Sequence, residues 1–444
     1  MEQSVNGARS KKIIIAVCIV VVLSLLILAV TLSGGKEPDE AALREAMERL
    51  PRNASYVADY LDYWGFPDFD KTKLKTIETR YASYYYKELP EKEVLAKSLA
   101  TVFLDELYNV IDVKDSELVT EAYAACYIYA VGDTYGYYRT KEQTEEFIGG
   151  MSGEFVGIGV VVRNETITGI PIIEVIENSP AKAAGLAVGD YIIAIDGKSV
   201  VGGDYVSAVN MIRGEEGSEV TVRVRRGDAE LDFTMARAKV KEVTVTAEML
   251  DNKIGHLSIS QFKAGTAEEF KTKLDYLLSQ GAVGIVFDLR SNPGGYLSSV
   301  CDVLSYLVPT DTNIVKFSGY MKPINAYEGT ELEPVDNVLT VPCAVICSYY
   351  TASAGELFTG ALRDFNDMGI LEAVTVGEKT FQKGVMQTTF SAGDGDTVTL
   401  TTAYYYSPLG EADGEAGVVP DVIVEDASNY LTVAIDELNK LINN

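Results

Sequence analysis

Two short apolar runs constrain this chain more than any other feature. Val283-Gly284-Ile285-Val286-Phe287-Asp288-Leu289 and Cys343-Ala344-Val345-Ile346-Cys347 each precede a turn rich in small residues, then a helical stretch, Leu297 to Leu307 and Ala354 to Phe365. A strand that is apolar on successive residues has to be covered on both faces, the condition of a central strand in a layered sheet. Lys253 to Ile259 reads as a further strand and Thr266 to Ser279 as an amphipathic helix between strands. From about residue 241 onwards the alternation therefore predicts stacked βα units, a layered α/β core. Met386 to Tyr406 adds a β-rich part, a hairpin closed near Gly393-Asp394-Gly395, and Leu431 to Ile442 adds a terminal amphipathic helix.

Upstream, the pattern changes twice. Residues 34–152 are rich in strong helix formers, as in Glu40 to Leu50, with helical apolar spacing over Glu91 to Leu107 and Ser116 to Val131. The Gly149-Gly150-Met151-Ser152-Gly153 junction ends this segment. Beyond it, Phe155 to Arg163, Ile172 to Ile176, Tyr191 to Ile195, Val220 to Arg226 and Leu231 to Ala236 read as strands. Pro180 to Leu186 and Tyr205 to Arg213 read as short helices, which gives a compact unit of about 85 residues over 153–240. The chain is thus expected to be multidomain α+β.

The N-terminus adds a uniform apolar run, Ile13 to Leu32, preceded by Arg9, Lys11 and Lys12 and followed by Glu37, Asp39 and Glu40. About 20 such residues cross a bilayer core. The basic flank predicts residues 1–12 in the cytoplasm, a transmembrane anchor over 13–32, and the body outside, a single-pass cell-membrane protein. The competing reading is a cleaved signal peptide, against which stand the length of the run and the lack of a small-x-small cleavage site. A formal net charge of −27 repels phosphate backbones and excludes nucleic acid as an expected partner. The five cysteines form no CxxC or Cys/His cluster, so no metal site is expected.

Candidate chemistry concentrates on three turns. Ser353, in Thr351-Ala352-Ser353-Ala354-Gly355-Glu356, joins an apolar strand to a helix, where a serine caps the helix or faces N–H groups that favour developing negative charge. Lys383, in Lys379-Thr380-Phe381-Gln382-Lys383-Gly384, has apolar neighbours that would lower its pKa and let it act as a base. Asp288 to Gly295 ends in Pro293-Gly294-Gly295, whose backbone N–H groups could approach an oxyanion. The chain has a single histidine, His256, within a strand; a Ser-His-Asp triad would hang on it, and a structural role suits it better.

Together these stretches resemble the carboxyl-terminal processing proteases, a serine peptidase family. The resemblance runs from Gly153 to the end, through Gly153 to Gly159, Asp288 to Gly295, Ala352 to Glu356, Lys379 to Gln387, Leu400 to Ala403 and Val419-Pro420-Asp421. It implies a ClpP/crotonase-like protease core over 241–444 and a PDZ domain over 153–240. It implies Ser353 as nucleophile, Lys383 as general base and Gln387 as its orienting partner, with backbone N–H groups of Gly294 or Gly295 and of Ala354 as the oxyanion hole. The Phe155-Val156-Gly157-Ile158-Gly159 loop would hold a substrate C-terminal carboxylate, with the peptide added to the sheet edge. Arg213 matches a position that couples peptide binding to activation in some members. Gln382 departs from the pattern, standing where the family has glycine, and Tyr404 stands where arginine is common.

The expected function is therefore that of a membrane-anchored serine endopeptidase that captures protein C-termini and cleaves through an acyl-enzyme, with no cofactor. Its expected partners are proteins or peptides with accessible C-termini, and a second copy in a homodimer. The alternatives are a catalytically weak or inactive membrane-tethered PDZ module that binds protein tails, and acyl-CoA chemistry on a related core.

Overall fold

The computed structural model describes residues 39–318, 323–326, 328, 339–410 and 417–443. They form two compact units: the residues up to Thr144 with Gln387–Thr402, and Glu145–Met386 with the residues from Ala403 on. The first is helical, with helices over Glu40–Ala46, Val57–Trp64, Lys71–Tyr84, Lys92–Val102 and Ser116–Val131. Asp115 starts the last of these by accepting the N–H groups of Glu117 and Leu118, each at 3.1 Å, and Gly132 ends it at φ 81°. This helix is buried on several sides, and Tyr123 and Tyr127 on it pack with Phe103, Phe69 and Tyr81. Tyr81 donates to Asp133 at 3.1 Å, so it serves the core of this unit. The short strand Tyr137–Arg139 pairs with Thr397–Thr399 in the same unit.

The second unit holds two cores. Around the first, strands Val160–Val162, Ile170–Val175, Tyr191–Ile195, Glu219–Arg226 and Ala229–Ala236 form an antiparallel sheet in that order. Val220, Val222 and Val224 point into its core while Arg223 and Arg225 alternate outward. The strand expected over Phe155 to Arg163 is two strands, Glu154–Gly157 and Val160–Val162. Gly159 breaks it, at φ 85° with Ser179 packed so closely that a Cβ would lie 2.2 Å from the serine's own. Glu154–Gly157 pairs instead with a return strand, Ala238–Lys241, which the sequence pattern did not mark.

The second core is a six-stranded sheet in sequential order: β1 Val245–Met249, β2 Ile254–Ile259, β3 Gly284–Asp288, β4 Cys343–Cys347, β5 Ala373–Gly377 and β6 Val422–Ile423. Strand β1 is antiparallel to β2, and the remaining ladders are parallel. Helices α1 Thr266–Ser279, α2 Leu297–Ser305 and α3 Ala354–Asp367 cover one face, burying Leu257, Ile285, Phe287 and Val345. Helix α4 Tyr430–Ile442 covers the other, over Ile254, Val286, Ala344 and Ile346. The alternate residues of β3 and β4 thus serve opposite layers, as their unbroken apolarity requires.

The expected transmembrane helix is corrected. No helix among the described residues is long and apolar enough to cross a membrane; the longest, Ser116–Val131, has 16 residues. The run Ile13 to Leu32 lies outside the described residues. The single-pass cell-membrane localisation drawn from that run is likewise not supported by the described residues.

Candidate active site

The parallel ladder between β3 and β4 sets Asp288 opposite Ile346, so the turns after both strands leave the sheet at one edge. Open α/β sheets place their ligands at this edge. Thr351 Oγ1 donates to Leu289 O at 2.8 Å, Ser348 Oγ to Arg290 O at 2.6 Å, and Ala352 N to Asn292 O at 2.9 Å. These bonds hold the Asp288–Gly295 turn against the turn that carries Ser353. Gly294 fits only without a side chain: a Cβ there would lie 2.7 Å from Ser353 Cβ and 2.8 Å from Ala352 O.

Ser353 is the only residue from Thr351 to Leu362 that is not buried. It is the N-cap of α3, at φ 54° and ψ −119°, a region that non-glycine residues rarely occupy. Its backbone takes part in the cap: Ser353 N donates to Glu356 Oε2 at 2.9 Å, and Glu356 N donates to Ser353 O at 2.8 Å.

Glu356 also holds the second turn. Its Oε2 accepts Lys383 N at 2.8 Å, and its Oε1 accepts Gln382 N at 2.7 Å and Thr380 Oγ1 at 2.6 Å. The backbones of Ser353 and Lys383 are therefore tied to the same carboxylate oxygen. Phe381 N donates to Thr351 O at 3.0 Å, and Tyr405 Oη to Lys383 O at 2.6 Å, which fix the lysine loop from both sides. Burial lowers the pKa of the half-buried Lys383, and the Glu356 carboxylate opposes this without cancelling it. Gln382, where the resemblance expects glycine, adopts φ 77°.

Of the expected oxyanion donors, Gly294 N is already committed to Asn292 Oδ1 at 2.8 Å. The fully buried Asn292 also donates through Nδ2 to Ile259 O at 3.0 Å. Gly295, at φ 143°, lies against Phe262, and Ala354 opens α3. Gln387 lies half-buried on strand Val385–Gly393, in the stretch that clusters with the helical unit.

His256 stands apart from this chemistry. Its Nδ1 lies 3.1 Å from Glu248 Oε1 and its Nε2 3.2 Å from Asp288 Oδ2. Burial lowers its pKa, the two carboxylates outweigh burial, and the net direction is upward. With both ring nitrogens engaged, it serves as a tie between β1, β2 and β3. Asp288 in turn pairs with Arg290, whose guanidinium lies over the Tyr430 ring. The four described cysteines are buried, their thiols pushed up to about 12 by burial, which leaves no thiolate nucleophile among them.

In the upstream unit, Phe155, Val156 and Gly157 pair with Val240, Lys239 and Ala238. Ile158 is buried, and Gly159 O accepts Ile176 N at 3.0 Å. Arg213 follows the helix Tyr205–Ile212 and lies over the Phe155 ring at 5.5 Å. Sequence reasoning passed over two residues that organise the site, Glu356 and Asn292. The Ser-x-x-Glu spacing of a capping box points to the first, and the Asn-Pro-Gly-Gly turn to the second.

Comparisons with known proteins agree with this layout. Residues 253–424 match the family model of peptidase family S41, and residues 172–226 match that of the PDZ domain. The chain is 32% identical over 312 residues to the "Probable CtpA-like serine protease" of Staphylococcus aureus (strain COL), covering 70% of this chain and 61% of the relative. It is 34% identical over 301 residues to the carboxy-terminal processing protease CtpA of Bacillus subtilis (strain 168), covering 67% and 62%. The chain thus aligns with less than two thirds of these relatives' length. The solved photosystem II D1 C-terminal processing protease is 22% identical, with a TM-score of 0.45, over 82% of this chain and 96% of that chain; this likeness is too distant to bear on function. With a PDZ domain and an S41 core that contains both Ser353 and Lys383, the chain belongs to the carboxyl-terminal processing protease family.

Proposed function

We propose that this protein is a serine endopeptidase whose PDZ domain captures a protein C-terminus and whose Ser353 and Lys383 cleave the bound chain through an acyl-enzyme. The observation that carries the reading is the shared carboxylate. Glu356 Oε2 accepts the backbone N–H of both residues, which ties a half-buried serine at a helix start and a half-buried lysine of lowered pKa to one oxygen.

In the proposed reaction Ser353 Oγ attacks the substrate carbonyl carbon as neutral Lys383 takes its proton. The oxyanion accepts N–H bonds from Gly295 and Ala354, at the positive end of α3, while Asn292 keeps Gly294 N turned away. Lys383 then protonates the leaving amine, and the acyl group remains on Ser353. Water attacks the acyl carbon next; Lys383 takes its proton and returns it to Ser353 Oγ as the ester bond breaks, which releases the second product. Gln387 is proposed to orient the lysine amine. The strained Ser353 backbone is consistent with a pre-set nucleophile. In the PDZ domain the carboxylate would bind at the Phe155–Gly159 loop. The ladder commits residues 154–157 to a strand, which points to the Ile158-Gly159 turn as the donor. Arg213, lying over Phe155, is the proposed link between that loop and activation.

The test is cleavage of an unstructured protein by the full chain, with Ser353→Ala and Lys383→Ala beside it. Either substitution is expected to lower the rate at least about 1000-fold. A Ser353→Ala protein that cuts at the wild-type rate would refute the reading.

A further inference from the structure

Three exposed rings stand on the two turns that carry the proposed nucleophile and base. Tyr349 is 53% exposed, Tyr350 71% and Phe381 37%. Tyr349 lies 5.8 Å from Tyr350 and 5.5 Å from Phe381, ring centre to ring centre. The cluster is joined across the two turns, since Phe381 N donates to the carbonyl of Thr351, two residues before Ser353.

Local structure gives no reason for aromatic residues there. Tyr349 and Tyr350 are the central residues of a turn closed by Thr351 N to Ser348 O at 2.9 Å. Ser348 N to Thr351 Oγ1, 2.9 Å, and Tyr350 N to Ser348 Oγ, 3.0 Å, complete it. Such positions favour small or polar residues, and exposed rings add little to folding. The turn is also anchored to the sheet by Ser348 Oγ on Arg290 O, 2.6 Å, so the rings are presented from a fixed base. A chain laid across Ser353 has to pass this rim. The strongly acidic protein offers it an apolar surface of clustered aromatic rings.

We infer that Tyr349, Tyr350 and Phe381 form a specificity subsite that takes a bulky apolar, preferably aromatic, side chain of the peptide undergoing cleavage. The occupant is the substrate's own extended chain near the cut bond, a contact separate from capture of its C-terminus. The inference rests on the peptidase reading above. Ring-on-ring contact and apolar burial supply the selectivity, and no tyrosine hydroxyl is required.

The experiment uses quenched fluorogenic peptides of one cleavable sequence, with Phe or Ala placed in turn at each position around the cut bond. Wild type is expected to favour Phe over Ala at one position by about tenfold in kcat/KM, chiefly through KM. Tyr349→Ala/Tyr350→Ala should bring that ratio close to one, and Tyr349→Phe/Tyr350→Phe should keep it. The same peptides, labelled and uncleaved, are titrated against Ser353→Ala protein by anisotropy, which reads the preference without turnover. A Phe preference in binding that the double alanine substitution abolishes, without Ser353-dependent cleavage, would refute the peptidase reading and overturn the subsite's role in cleavage, leaving the three rings as a peptide-binding site alone. Absence of any Phe preference in wild type, or a preference that survives the double alanine substitution, would overturn the subsite.

Discussion

At the scale of single residues, one carboxylate organises the site. Glu356 holds four donors, and three of them belong to the Thr380–Lys383 loop. It also opposes the effect of burial on Lys383. The proposed base works when neutral, so cleavage should rise with pH as Lys383 loses its proton. Because the pKa is lowered, that limb should lie below the ordinary lysine value of 10.5. Glu356→Gln removes the charge that favours the ammonium form, so its limb should move to lower pH. Its kcat should fall as well, because an amide oxygen cannot hold the same donors. A limb that moves upward in Glu356→Gln would contradict this role. Ser353 and Lys383 could be nominated from the sequence because a strand-turn-helix with small residues and a lone histidine narrowed the choice. Glu356 was not, because a glutamate in the first turn of a helix reads as a simple cap.

At the scale of elements, strands and helices of the layered core were legible wherever periodicity was strong. Thr266–Ser279 falls where its amphipathic spacing put it, and the Asp394-Gly395 turn closes the expected hairpin at φ 53° and 94°. The pairings at element ends were less legible. The antiparallel edge strand β1 and the return strand Ala238–Lys241 are short and mixed in character, and only tertiary pairing makes them strands. The turn after β3 depends on a buried side chain in the same way. Asn292→Ala would leave Gly294 N and Ile259 O without partners in the interior. It should cost about 3 kcal/mol in denaturant unfolding. A loss below about 1 kcal/mol would show that Asn292 does not hold this turn.

At the scale of the whole molecule, buried acids set a pH dependence that the sequence did not disclose, since burial is a tertiary property. In the helical unit, Glu78 is pushed up to about 7 by burial, although it accepts the N–H groups of Val57 and Ala58. Glu121 is likewise pushed up to about 7, by burial first and then by Glu117, Asp396 and Asp115. An acid whose pKa rises on folding favours the folded state below its unfolded value, 4.5 for Glu, and loses that contribution as pH rises through about 7. The unit should therefore be less stable at about pH 8 than at about pH 5. Glu121→Gln should raise Tm at the higher pH and leave it nearly unchanged at the lower. An equal gain at both would contradict the assignment.

The central claim, that Lys383 activates Ser353, is tested most directly by labelling with a fluorophosphonate and locating the adduct by peptide mass. The account predicts one adduct, on Ser353, formed by wild type and lost in Lys383→Ala while the variant keeps the wild-type melting profile. An adduct on another residue, or one that forms at the same rate in Lys383→Ala, would contradict it.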